Sequence, residues 1–111
     1  MSVAADERPP FTVRRATTCL RGLHYVYAAR IAPDRLVAEL RAAFPRHLVE
    51  GEERWGERVV RRLIVQFRFE VQIGGRAEEI SLIHRVTAAP EQRASDRARF
   101  ESCLRAALAE E

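Results

Sequence analysis

RLIVQFRFEVQIGGRAEEISLIHRVT, residues 62–87, consists of two runs of alternating apolar and polar residues on either side of a Gly-Gly pair. Alternation over this length is typical of β-strands that bury one face. Two glycines tolerate the positive φ angles that a type I′ turn needs at both central positions. The pattern therefore predicts a β-hairpin that turns at Gly74-Gly75.

A two-residue turn at this point fixes the register of the predicted hairpin. The predicted partners are Ile73 with Arg76, Phe69 with Ile80, Phe67 with Leu82, and Val65 with His84. The apolar faces of the two strands coincide in this register, so the turn and the alternation agree. His84 is then the single polar residue among the apolar positions of the second strand.

The opposite, outer face of the predicted hairpin carries arginines around two isoleucines. The candidate interface residues on this face are Arg62, Ile64, Arg68, Ile83 and Arg85. Ile64 and Ile83 are predicted to be diagonal neighbours, and a small apolar patch with an arginine rim is typical of a protein interface. Isolated surface isoleucines are also common, so the sequence leaves an interface and an ordinary surface equally open.

The rest of the chain predicts two more strands, two helices and a loop. Residues 1–10 are polar and rich in proline, and we expect a disordered tail followed by a single domain at 11–111. Alternation and threonine content predict strands within 11–19 and 23–31. Pro33 and Pro90 stand where helices admit proline, at the first position, and predict helices that end near Phe44 and Leu108.

The segment between the first helix and the hairpin, residues 45–57, is the least regular part of the sequence. It predicts a short strand at 47–50 and then a loop that contains Trp55. The predicted fold is α+β, with the order β-β-α-(β)-β-β-α. We expect an antiparallel sheet of four to five strands with two helices packed on one face.

The composition excludes several classes of function. The chain has 111 residues and a net charge of +3, and all of its 19 basic residues are arginine. Without lysine there is no P-loop lysine and no Schiff-base lysine. No CxxC or HExxH spacing predicts a metal site, and no catalytic residue or cofactor is predicted. The N-terminus lacks an apolar signal segment, so we expect a cytoplasmic protein without a membrane partner.

Three hypotheses for function remain, and the sequence favours the first. The first is a non-enzymatic protein–protein interaction module that uses the outer face of the hairpin, either as a homodimer or with another protein. The second is a nucleic-acid-binding domain that uses the arginines of the last helix, Arg93, Arg97 and Arg99. The third is a small-molecule pocket or enzyme around His84, with Tyr25 and Tyr27 as further lining residues.

The nucleic-acid hypothesis comes with a partial resemblance. From Pro33 onward the predicted order α-β-β-β-α resembles the double-stranded RNA-binding domain in outline. That resemblance implies that Arg93, Arg97 and Arg99 replace the lysine-rich start of that family's last helix. The family's Gly-Pro-x-His loop is absent from this sequence, so the resemblance concerns the order of the elements alone.

Overall fold

The computed structural model describes residues 11–16, 23–76 and 79–109. The predicted tail at 1–10 lies outside the described residues. The elements, in chain order, are β1 (Thr12–Arg15), β2 (His24–Ala28), α1 (Pro33–Ala43), β3 (Leu48–Trp55), β4 (Arg58–Val65), β5 (Phe69–Arg76), β6 (Glu79–His84) and α2 (Pro90–Ala109).

The six strands form one antiparallel sheet in the order β1-β2-β6-β5-β4-β3. The predicted α+β class is confirmed, with six strands in place of four to five. Four strands separate α1 from α2, so the order of elements departs from the three-strand outline of the double-stranded RNA-binding domain. No helix in the described part of the chain is long and apolar enough to cross a membrane.

Both helices pack against the same face of the sheet, here called the inner face. The core between them includes Leu36 and Leu40 of α1, Phe100 and Leu104 of α2, and Phe69 of β5. The helical residues recur at the three- and four-residue spacing that keeps them on one side of a helix. The core strand residues alternate, as a sheet with one covered face requires.

The predicted hairpin register is wrong, because the chain reverses once before the glycines, between β4 and β5, and reverses again only beyond Arg76, which pairs with Glu79. β4 ends at Val65 and β5 begins at Phe69, and these two residues are paired. The Arg68 backbone N–H donates to the Val65 carbonyl at 3.0 Å, and Phe67 between them has a φ of 68°. Since residues 66–68 contain no Gly, Asn or Pro, the continuing alternation concealed this turn.

Gly74 and Gly75 form an irregularity within β5 and do not form the predicted turn. β5 continues to Arg76, which pairs with Glu79, and the register shifts between Ile73 and Arg76. Gly74 has a φ of 102°, and a Cβ there would lie 2.8 Å from the Val59 carbonyl oxygen. A β-bulge and a tight turn both favour glycine at positive φ, which is why the sequence signal was ambiguous.

The predicted loop with Trp55 is also wrong. Residues 48–55 and 58–65 form the hairpin of β3 and β4, in which Trp55 pairs with Arg58. Gly56, at a φ of 65°, is the first residue of its two-residue turn. All but the first residue of β3 are exposed, and this edge strand therefore lacks the apolar alternation on which strand prediction depends.

Candidate functional site

An open cleft of about 390 Å³ separates the inner face of the sheet from the first turns of α2. It lies at the end of the sheet where β1, β2 and β6 are neighbours. Its lining consists of Arg15, Leu23, Tyr25, His84, Pro90, Arg93, Ala94 and Arg97. Its volume is in the lower part of the range of small-molecule sites.

Three arginines give the cleft its charge. Arg93 and Arg97 are four residues apart on α2 and therefore project from the same side of the helix. Arg15 pairs with Tyr25 across β1 and β2, which places both side chains on the inner face. Among the described residues, none of the three forms a salt bridge, and no carboxylate lines the cleft.

Several arginines elsewhere in the protein are neutralised by acids. Arg61 donates to Asp34, and Arg62 donates to both carboxylate oxygens of Glu70, at 2.6 and 3.0 Å. The three cleft arginines differ from these because the fold brings them together without a matching acid among the described residues. The cleft therefore carries an excess of positive charge in a partly enclosed space, where electrostatic attraction is stronger than in open water.

Tyr25 connects the charged wall of the cleft to its histidine. The guanidinium carbon of Arg97 lies 4.7 Å from the centre of the Tyr25 ring, a cation–π contact. The same ring meets His84 nearly at a right angle, with the ring centres 5.8 Å apart. One aromatic side chain thus contacts both a cation and an imidazole.

His84 is buried, with 3% of its surface exposed. Its backbone N–H donates to the Leu23 carbonyl at 2.9 Å, while Nδ1 and Nε2 have no hydrogen-bond partner in the described part of the chain. Burial, and after it the charge of Arg97, lowers the pKa of His84 to about 4, against the opposing effect of Asp96. The imidazole is therefore neutral at pH 7.

Tyr27, the other tyrosine predicted for a pocket, does not line the cleft. It is fully buried and its ring centre lies 5.0 Å from that of Phe100. Its hydroxyl donates to Glu101 Oε2 at 2.7 Å, and burial, followed by this hydrogen bond, raises its pKa far above the ordinary value. Tyr27 is a core residue with a satisfied polar group.

Arg68 does not lie on the outer face, contrary to the prediction. It belongs to the turn between β4 and β5, where strand alternation no longer applies. Its guanidinium donates to both carboxylate oxygens of Asp96, a residue of α2 that is 1% exposed. Gln92 Nε2 donates to the same carboxylate at 2.9 Å. Arg68 therefore connects the turn to α2 on the inner side of the sheet.

The remaining predicted interface residues lie on the outer side, but in a different arrangement. Ile64 and Ile83 each pair with Glu70, so a whole strand separates the two isoleucines and they are not diagonal neighbours. Burial alone would raise the pKa of Glu70, yet the hydrogen bonds from Arg62 and Gln72 and the charge of Arg85 hold it below the usual value. On this surface the Arg62–Glu70 ion pair lies between two isoleucines that do not contact each other as neighbours in the sheet.

The three arginines predicted to bind nucleic acid are divided between two places. Arg93 and Arg97 line the cleft, whereas Arg99 lies over the Phe44 ring at 5.4 Å and borders a separate groove between the helices. Cys103 in that groove donates to the Glu39 carbonyl at 3.6 Å, and burial raises its pKa to about 11, so its thiol is unreactive.

No group of three or more potential metal ligands occurs within the described residues. No protein-family model, curated protein or solved structure matches the chain. The cleft is therefore interpreted from its own chemistry.

Tyr25, His84, Arg93 and Arg97, which line this cleft, were predicted from the sequence for two separate hypotheses. Arg15 and Leu23 were missed. The only signal for Arg15 was its position in a β-prone segment before Tyr25, which does not reveal which residues pair across the two strands. Recognition of the site required the β1–β2 register and the path of α2 across the sheet.

Proposed function

We propose that this protein is a binding domain for a small anionic organic molecule, which occupies the cleft between β1, β2, β6 and α2. The observation that carries this proposal is the group of three arginines, Arg15, Arg93 and Arg97, that line one cavity without a carboxylate partner in the part of the chain that the structure describes. The proposal is nearer to the pocket hypothesis than to the interaction module favoured by the sequence.

The chemistry of the lining supports an oxyanion attached to an apolar body. A guanidinium matches carboxylate and phosphate oxygens with two parallel hydrogen bonds. Leu23, Pro90 and Ala94 offer apolar surface beside the charged residues. A bound oxyanion also relieves the mutual repulsion of the three cations, which adds to the affinity.

The test is to titrate the full chain with benzoate and with phenyl phosphate and to measure the affinity of each by isothermal titration calorimetry. Each guanidinium that bonds the anion contributes about 1.5–3 kcal/mol, so Arg93→Gln and Arg97→Gln each weaken binding by roughly 10- to 100-fold. The affinity of the wild-type chain falls as salt is added.

Arg99→Gln is the matched control, because it makes the same change of charge on the same helix outside the cleft. We expect it to leave the affinity within about twofold of wild type. An equal loss in the control would show unspecific attraction to a basic chain. The absence of any heat with both probes at millimolar concentration would refute the proposal.

We propose a second candidate function, the interaction module predicted from the sequence, for the outer face of the sheet. Both helices pack on the inner face, and the outer face carries the half-buried Ile64 and Ile83 and the exposed Val49.

If this face mediates self-association, light scattering after gel filtration gives a mass above 12.7 kDa, and Ile83→Arg restores the monomer. Val59→Arg, at an exposed position on the other face of β4, is the control. A wild-type chain that remains monomeric at high concentration argues against the homodimer.

A further inference from the structure

We propose that His84 is the specificity-determining residue of the cleft: it hydrogen-bonds a hydroxyl or carbonyl oxygen of the ligand, which is therefore a hydroxy- or oxo-substituted organic acid. This inference rests on the proposed anion-binding function and narrows its ligand class. The oxyanion of the ligand binds the arginines, and its second oxygen binds the imidazole.

The first argument is the lack of partners around a buried imidazole. Both ring nitrogens of His84 are buried without a hydrogen bond from the described residues, although the ring lines the cleft. A buried polar group in this condition costs about 1–3 kcal/mol, and most such groups in folded proteins are satisfied. A ligand that supplies the missing bond recovers that free energy.

The second argument is the protonation state. A neutral imidazole offers one donor and one acceptor. A hydroxyl group, which also donates and accepts, can bond either nitrogen, and a carbonyl oxygen can bond the N–H. A second carboxylate is a poorer match than either, because burying its charge beside a neutral ring costs more free energy than burying a neutral oxygen.

The third argument is the arrangement of the two recognition points. Tyr25 contacts the Arg97 guanidinium through its face and the His84 ring nearly perpendicularly. An organic acid that extends along this tyrosine reaches both residues and covers the apolar wall. Within the described residues the Arg97 side chain rests on the Tyr25 ring without a hydrogen bond or salt bridge, and we expect a change of its rotamer to open the imidazole to the ligand; such changes are common on binding.

The groups that face His84 come from several elements. Arg15 of β1 and Tyr25 of β2 line the same cleft, and Phe69 of β5 contacts the ring edge-on at 6.3 Å. From α2, Arg93 and Arg97 oppose a proton on His84, and Asp96, which is bonded to Arg68, favours one. At pH 7 burial, together with the two arginines, keeps the imidazole neutral and able to accept a hydrogen bond.

The experiment compares acids that differ only in one hydroxyl group. The probes are benzoate with its 2-, 3- and 4-hydroxy derivatives, and 3-phenylpropanoate with 2-hydroxy-3-phenylpropanoate. Calorimetry on the wild-type chain at pH 7 should show at least one hydroxy acid bound tenfold or more tightly than its parent acid. In His84→Leu this ratio should fall to within twofold. His84→Gln, which keeps a donor and an acceptor, should retain part of the preference.

A second measurement does not depend on a folded variant. In the wild-type chain labelled with ¹⁵N-histidine, the preferred hydroxy acid should shift an imidazole nitrogen resonance of His84, and the parent acid should not. If parent and hydroxy acids bind equally and the resonance does not move, the role of His84 is refuted and the anion-binding function stands. If no acid and no phenyl phosphate binds, both proposals fail.

Discussion

The core around Phe100 and the cleft around His84 lie on the same face of the sheet and under the same helix, but they treat polar groups differently. Around Phe100, the buried Tyr27 hydroxyl has its partner in Glu101. Around His84, the imidazole has no partner among the described residues, and the guanidinium of Arg97 rests on an aromatic ring.

This difference separates a structural region from a candidate site. A core gains stability when every buried polar group has a hydrogen-bond partner, whereas a binding site contains polar groups that gain a partner only when the ligand binds. In this protein the change occurs along α2, between its first turns, which border the cleft, and its later turns, which pack against α1. Four changes, taken in order of decreasing effect, test that boundary.

Truncation of the core gives the largest effect. Phe100→Ala removes a fully buried ring and leaves a cavity, so it should lower the free energy of unfolding by about 3–5 kcal/mol. Urea denaturation followed by circular dichroism measures this loss. A change below about 1 kcal/mol would mean that this end of α2 is packed no more tightly than the end above the cleft.

Acid should lower the free energy of unfolding of the chain, because His84 in the cleft resists protonation. Its pKa is about 4 in the folded chain and about 6.5 in the unfolded chain, so the unfolded chain binds more protons below pH 6.5 and stability falls as the pH falls. Relative to His84→Leu, the wild-type chain should lose about 2 kcal/mol between pH 7 and pH 5. Parallel urea titrations at both pH values measure this double difference. Identical pH dependence in the two chains would show that His84 titrates normally.

The ion pair between Arg68 and Asp96 joins the turn after β4 to α2. Asp96 is almost fully buried, so Asp96→Asn leaves the guanidinium without its counter-charge and should cost about 1–2 kcal/mol of unfolding free energy. Glu50→Gln is the control, because it breaks an exposed pair with Arg41 and should cost less. If Asp96→Asn and Glu50→Gln lower the free energy of unfolding equally, the Asp96 carboxylate is as solvated as that of Glu50.

The smallest effect should come from removal of the unsatisfied imidazole at pH 7. His84→Leu replaces a buried polar ring, which has no partner among the described residues, by an apolar side chain, so the free energy of unfolding should stay within about 1 kcal/mol of wild type or increase. Leu82→His, the reverse exchange on the same face of β6, should be clearly destabilising. A large loss in His84→Leu would mean that the imidazole is bonded in solution, and it would weaken the comparison between core and cleft.

The sequence predicted the two helices and the buried face of the β4–β6 strands, but not the points at which these strands reverse. The observed pairs Phe69–His84 and Ile73–Ile80 differ from the predicted pairs by an even number of positions. Because side chains alternate with a period of two, such a shift keeps the inner residues on the inner face. His84 was therefore assigned to the correct face with the wrong partner, while Arg68, located in an unrecognised turn, was assigned to the wrong side.

By itself, the sequence determined the starts of the helices and the apolar faces of the central strands, because proline geometry and alternation act between residues that are close in the chain. Tertiary structure alone decided which charged groups have partners. Arg68 meets Asp96 and Arg62 meets Glu70, but Arg15, Arg93 and Arg97 converge without an acid among the described residues. The interaction energy of a charged side chain depends on which groups the fold places within a few ångströms of it. The positive charge of the cleft is therefore a property of the tertiary structure.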